Sequence, residues 1–448
     1  MARCDRRFFR KETPALIGWE SIRSGLVSRS DFVSPWFLIA TISLIGLDVT
    51  VEPLQGPAVR GELLDISTDQ LRVRTTSGEQ SWTRGELLRW IPTAVGPASE
   101  PPASAGAEKG TELVVQLTDG SRLLARRYLS SAGRVEIEAG SGEAIRLTTR
   151  SIAWVRYQKL LPQLEETWQR ILAGTRSTDV IVIRKTNMPA AGAVPETPTT
   201  VLDYLEGVLG DANEMSVNFT FDETKVDVPR SKIEGLVYRQ PSTRVTSETL
   251  ARVVVRDGSS WQVKAWQGKE GSVELVSVAG VRTTVPREQI VEFDYSPGNL
   301  DYLSDLEPEA TVWNPRQELS VTATVRRWFQ PEFNKGRNGR PLQLNEQTYT
   351  KGLALHSYSE VRYRLTRPYR MLLATVGIDD PAGQEGQVVL RILGDGKTVL
   401  ERPVVQGEPP IDLQLDLQGI RRLALIVDFG DQSDRGDNLN LCNVRLVK

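Results

Sequence analysis

The chain has 448 residues, with 55 Lys and Arg against 57 Asp and Glu and a formal net charge of -2. That length provides for roughly two to four domains, and the balanced charge gives no basic footprint for nucleic acid or an anionic membrane surface. A single histidine, His356, and two cysteines, Cys4 and Cys442, exclude a His-rich metal centre, any mechanism needing two imidazoles, and a clustered thiolate zinc site.

Residues 32–47, FVSPWFLIATISLIGL, carry no charge and follow seven basic residues: Arg3, Arg6, Arg7, Arg10, Lys11, Arg23 and Arg29. A basic flank before a short apolar run is the pattern of a secretory signal or anchor, and the run is shorter than the ~20 residues that span a bilayer. The Arg6-Arg7 pair has some likeness to a twin-arginine export element. The expectation is an exported protein (periplasmic, cell-surface or secreted) whose membrane contact is limited to residues 32–47. A buried segment opening a cytosolic domain is the other reading. Cys4 precedes this run, so no disulfide with Cys442 is expected.

Two Pro/Ala/Gly-rich stretches, 93–110 and 186–200, read as linkers. Around them a pattern of about 45 residues recurs, at 49–91, 113–155 and 252–293, with a diverged copy over 180–238. Each of the first three copies has an early turn (Gly56, Asp119-Gly120 or Asp257-Gly258), a period-two strand such as Leu71–Val73 or Val273–Leu275, and a later Gly turn at Gly78, Gly142 or Gly280. Short strands at this spacing suit small SH3-like or Sm-like barrels. The segment 161–172, with Leu161, Leu164, Trp168, Ile171 and Leu172 at helical spacing, is expected to be a helix with a packed face. Trp82, Trp90, Trp154, Trp261 and Trp266 read as core or interface residues. Barrels of this size bind peptides, RNA or each other. The basic-plus-aromatic surface for nucleic acid is not evident, which leaves protein partners.

From residue 300 short strands follow at Glu360–Leu365, Met371–Ile378, Gln387–Leu393, Ile411–Leu417, Arg422–Phe429 and Leu441–Val447, the spacing of an antiparallel sandwich. Five ordered motifs here resemble the NPCBM carbohydrate-binding module family: Tyr349–Ser357 (YTKGLALHS), Ala374–Asp379, Val388–Lys397, Leu413–Leu425 and Gly436–Leu446. The resemblance implies a jelly-roll, galactose-binding-like β-sandwich and a sugar ligand. One departure is Leu441, where the family commonly has Trp.

The fold class expected is therefore mainly β, with tandem small SH3-like barrels followed by a C-terminal jelly-roll (galactose-binding-like) sandwich. The divisions are a flank and signal (1–47), repeats at 48–95, 111–160, 178–240 and 248–298, a linker at 96–110, a helix at 161–176, and a sandwich at 300–448. Candidate sugar-binding residues at its loop ends are His356, Tyr358, Asp379, Asp380, Asp437, Asn438 and Asn440. His356 reads either as a ligand or as a buried imidazole satisfied by a carbonyl, and Asp379-Asp380 before Pro381 also suits a turn. Asp431, Asp434 and Asp437 form an acidic loop, solvated or else holding a structural Ca2+; no other cofactor is expected. No α/β repeat, Gly-rich phosphate loop or G-x-S-x-G elbow is present, so a non-catalytic role is expected. The partner expected is a glycan or cell-surface polysaccharide, and the alternative is an envelope or assembly scaffold that has lost sugar binding. An exposed aromatic beside His356 and Asp379 in a concave patch would favour the first reading; a filled apolar loop face would favour the second.

Overall fold

The computed structural model describes residues 46–93, 113–140, 144–159, 161–174, 176–187, 199–240, 248–315, 322–379 and 385–448. The flank and most of the apolar run (1–45), most of the first linker (94–110), Gly142, the centre of the second linker (188–198) and Asp380 lie outside those residues. Among the described residues, no helix is long and apolar enough to cross a membrane.

Alternating apolar positions and tight turns build four five-stranded units. The first holds β1 (Asp48–Pro53), β2 (Val59–Ile66), β3 (Gln70–Thr75), β4 (Gly78–Thr83) and β5 (Leu87–Pro92). The second holds β6 (Leu113–Leu117), β7 (Arg122–Ser131), β8 (Arg134–Ala139), β9 (Ala144–Thr148) and β10 (Ile152–Arg156). The third holds β11 (Asp179–Asn187), β12 (Thr199–Ala212), β13 (Ser216–Phe221), β14 (Thr224–Pro229) and β15 (Ile233–Val237). The fourth holds β16 (Ala251–Val255), β17 (Ser260–Lys269), β18 (Ser272–Ser277), β19 (Arg282–Pro286) and β20 (Ile290–Asp294). In each unit the first strand pairs with the second and the fifth, and one 3-10 turn separates the fourth from the fifth. The second linker sits inside the β11–β12 hairpin, whose strands stay in register out to Asn187 opposite Thr199.

Fifth strands join the units in pairs. β5 meets β20, with Trp90 opposite Phe293 and their rings stacked at 5.6 Å. β10 meets β15, with Trp154 opposite Val237 and Arg156 opposite Gly235. Over this second junction lies α1 (Pro162–Ala173), which begins on a proline, as a helical first turn permits. Its Trp168 and Ile171 pack on Val180 and Val182. A Cβ on Gly235 would lie 2.6 Å from the Trp168 ring, so only glycine admits that approach. Glu234 is 0% exposed and accepts from Arg156 Nε at 2.7 Å and from Arg184 Nε; Arg156 also bonds Glu165 at 2.9 Å. Removing one partner of a buried pair leaves an uncompensated charge, so Glu234→Ala should cost roughly 3–5 kcal/mol. Chemical denaturation checks this; a loss under about 1 kcal/mol would contradict it.

The C-terminal strands are β21 (Leu300–Tyr302), β22 (Ala310–Trp313), β23 (Glu332–Phe333), β24 (Leu342–Leu344), β25 (Gln347–Tyr349), β26 (Gly352–His356), β27 (Ser359–Arg364), β28 (Met371–Ile378), β29 (Gln387–Gly394), β30 (Lys397–Val405), β31 (Ile411–Asp416), β32 (Arg422–Phe429) and β33 (Asn438–Val447). Eleven of them form a sandwich of two antiparallel sheets, β23-β26-β33-β28-β31 and β22-β27-β32-β29-β30, with β21 added to β33, and β24 and β25 form a separate hairpin. Leu355, Tyr363, Leu372, Leu390, Leu425 and Leu441 are among the apolar side chains filling the space between them.

A seam of Leu54, Leu300, Leu373 and Val447 docks this sandwich on the first unit. At its centre is Asn299, the last residue of α2 (Ser296–Asn299). Its amide donates to Arg84 O at 2.5 Å and Leu87 O at 2.7 Å, and its carbonyl oxygen accepts from Arg84 Nη1 at 3.2 Å. Asn299→Ala strands those carbonyls at the seam, for an expected loss of about 1–3 kcal/mol. Calorimetry of the full chain should show a lowered melting temperature; an unchanged one would mean the seam does not depend on this amide.

Candidate functional site

Three strand ends converge at one end of the sandwich. β26 finishes at His356 directly opposite Asn438, the first residue of β33, and Asn440 stands opposite Ala354. On the other side of β33, β28 finishes at Ile378 opposite Leu439, and the next residue, Asp379, donates its N–H to Asn438 O at 2.8 Å. The approach of β26 to β33 requires Gly352 in the Lys-Gly-Leu motif. Its φ is +149°, and a Cβ there would fall 2.3 Å from Leu441 O.

The polar side chains of this end are largely turned inward and partnered. Asp437 is fully buried; one oxygen accepts from Ser357 Oγ at 2.6 Å and the other from Gln387 N at 2.9 Å. Asn440, also buried, donates through Nδ2 to Asp379 Oδ1 at 2.8 Å and Gln343 O at 3.1 Å. Arg340 lies 3.7 Å from Asp379. His356 Nδ1 meets Asn438 Oδ1 at 3.1 Å. These bonds tie the three strand ends and the 337–344 segment into one polar network.

An aromatic column covers His356. Phe329 stacks on the imidazole at 4.4 Å between centroids, and Trp313 stacks on Phe329 at 5.1 Å. Phe329 closes α3 (Ala323–Phe329), which Thr322 caps through Val325 N and which stops two residues before Pro331. The buried Arg337 guanidinium lies 5.4 Å from the Phe329 ring centre and donates to Trp328 O and Phe329 O. Its partners include the last carbonyls of α3, so it holds the helix end in place. With Phe329 turned inward, the neighbouring Trp328 stands 62% exposed.

Burial is the main cause that pulls His356 down to about 4, with the Arg337 charge second; the bond to Asn438 opposes both. Burial also pushes the Asp437 carboxyl up and the Arg337 guanidinium down to about 10. His356 is therefore neutral at ordinary pH, one ring nitrogen engaged. A histidine whose folded pKa is depressed stabilises the fold above its free value of 6.5, and that contribution is lost as the pH falls towards about 4. Because the chain has one histidine, a single ring resonance in proton NMR reports its titration. The expected midpoint lies well below 6.5, near 4; a midpoint at or above 6.5 would contradict the burial.

Of the seven sequence-predicted residues, the structure brings five together here: His356, Asp379, Asp437, Asn438 and Asn440. Tyr358 is half-buried, and its hydroxyl is pushed up first by burial and then by Glu360 and Asp428, so it neighbours the opposite sheet. Asp380 is outside the described residues. Leu441 is fully buried in the sandwich core. Trp313, Trp328, Phe329 and Arg337 were not expected, because the motifs that carry the resemblance begin only at Tyr349. The signal was the Trp-Phe pair in VRRWFQP, two large aromatics in an otherwise polar stretch. No group of three His, Cys, Asp or Glu side chains among the described residues is placed for a metal ion, and the two Asp437 oxygens accept from Ser357 and Gln387.

A two-sheet sandwich with aromatic and polar side chains gathered at one loop end has the form of a binding module. Residues 301–447 match the NPCBM/NEW2 domain. A Renibacterium salmoninarum protein named "Putative endo-alpha-N-acetylgalactosaminidase" is 26% identical over 212 residues, 44% of this chain and 14% of that protein. Among solved structures, the CBM51 of Clostridium perfringens GH95 in complex with methyl-galactose is 20% identical, covers 33% of this chain and 99% of its own, and has a TM-score of 0.28. The CBM51-2 and INT domains of Clostridium perfringens ZmpB, in complex with GlcNAc, are 18% identical over 52% of this chain and 43% of theirs, with a TM-score of 0.29.

Proposed function

We propose that this is a non-catalytic, exported glycan-recognition protein whose C-terminal sandwich is the binding module. The observation that carries the reading is Trp328, an exposed indole on the residue next to the Phe329–His356 stack. A flat aromatic face suits the apolar face of a sugar ring, while a few fixed polar groups set its orientation. In this reading Trp328 is the platform, Asn438 and Arg340 supply the directing groups, and the buried His356 positions Asn438. Asp437, Asn440 and Asp379 hold the strand ends in place. The one imidazole is buried and neutral with Nδ1 engaged, which supports binding over acid–base catalysis. The basic flank and apolar run of residues 1–47 support export.

A glycan array that includes galactose- and N-acetylgalactosamine-ended sugars tests the reading on the full chain. Selective binding should fall at least tenfold in Trp328→Ala, about 1.4 kcal/mol, with the melting temperature unchanged. Binding that survives this change, or no binding by the folded chain, would refute it. The scaffold reading draws on Tyr204, Val208, Met215, Phe221 and Val226, which leave apolar surface exposed on β12–β14. Self-association of the full chain that is lost on Val208→Lys would favour it.

A further inference from the structure

The sandwich carries a cluster of arginines, two of them without an ion-pair partner among the described residues, at the end opposite His356. β27 leaves the His356 end at Ser359 and finishes at Arg364, whose register partner is Arg422 at the start of β32. Exposed and buried residues alternate along β27, so Arg362 and Arg364 both point outward. Like charges directly opposite on an antiparallel pair repel. Glu360 answers Arg362 at 2.5 Å, and the exposed Glu309 lies 3.5 Å from Arg422. Arg364 and the adjacent Arg421 make no ion pair among the described residues.

These arginines line an open cleft of about 600 Å3 together with Leu365, Thr366 and Asp395. Asp395 is the one carboxylate in that lining, and its oxygens accept main-chain N–H groups, from Arg421 at 3.2 Å and from Arg422 at 2.9 Å. It fixes the turn that presents the two arginines and makes no ion pair with their guanidinium groups. Arg364 and Arg421 thus line the open cleft without a carboxylate partner among the described residues, while Arg422 is answered by Glu309. Natural sheets rarely keep such repulsion without a compensating gain.

We propose that this cleft binds the oxyanion groups of an acidic polysaccharide, either carboxylates or sulfates. Arg364 and Arg421 present forked N–H donors that match the two oxygens of such a group. Arg422 and the Thr366 hydroxyl stand at its edge. The oxyanion chemistry comes from the cleft alone; the choice of polysaccharide rests on the glycan reading above.

Calorimetric titration of the full chain with polygalacturonate, chondroitin sulfate, uncharged galactan and single-stranded DNA tests this, in wild type, Arg364→Gln/Arg421→Gln and Trp328→Ala. The expected result is salt-sensitive binding of polygalacturonate or chondroitin sulfate. It weakens at least tenfold in the double arginine variant and is unchanged in Trp328→Ala. The double variant should melt at or above the wild-type temperature, because a repulsive contact has been removed. Equal binding by the arginine variant, no binding of either acidic polysaccharide at low salt, or a lowered melting temperature would overturn the proposal. DNA bound as tightly as the acidic polysaccharides would overturn its polysaccharide part. Failure of the Trp328 reading shows only with uncharged sugars, so the two are distinguishable.

Discussion

The register of β33 against β26 on one side and β28 on the other decides where each polar side chain of the loop end stands. A slip of one residue would exchange Asn440 with Leu441, putting an amide in the sandwich core and a leucine in the polar network. Gly352 makes the β26 side of this pairing sterically possible, and Asn438 and Asn440 lock it through side-chain bonds to His356 and Asp379. Once the register is set, Asp437 closes the end by bonding Ser357 and the Gln387 N–H. The polar cluster is therefore a framework before it is a contact surface.

On that framework rests a column running from Trp313 through Phe329 to His356. Its effect on the imidazole is electrostatic as well as steric, since the apolar cover and the Arg337 charge both disfavour protonation. Its effect on α3 is to fix which way the last turn faces. Phe329 turns in, so Trp328 turns out. In the proposed reading that exposed indole is the ligand face.

Much of this was legible in the chain. Period-two strands and Gly turns marked the hairpins of the repeats, because one-sided burial imposes alternation. Leu164, Trp168 and Ile171 marked α1 for the same reason at helical period. In the sandwich, the strands at Met371–Ile378 and Arg422–Phe429 stand where the regular spacing and the turn signals between them put them. What sequence could not give was the sense of burial at the loop end. Asp437, Asn440 and Asp379 are residue types that suit a solvated sugar site equally well, and only tertiary contacts show that their groups are already bonded. The aromatic column was missed because Trp313, Phe329 and His356 come together across chain separations that carry no local period. The pairing of β5 with β20 and β10 with β15 is likewise non-local, and the repeat pattern alone does not choose which units join.

The central claim is that the Trp328 indole, held out by the Phe329–His356 stack, is where a sugar ring lies. A crystal structure of the full chain grown with the sugar it binds most tightly tests this most directly. The account predicts the sugar's apolar face on the Trp328 ring with its hydroxyls towards Asn438 or Arg340. A sugar seated on another surface, with Trp328 still open to solvent, would contradict it.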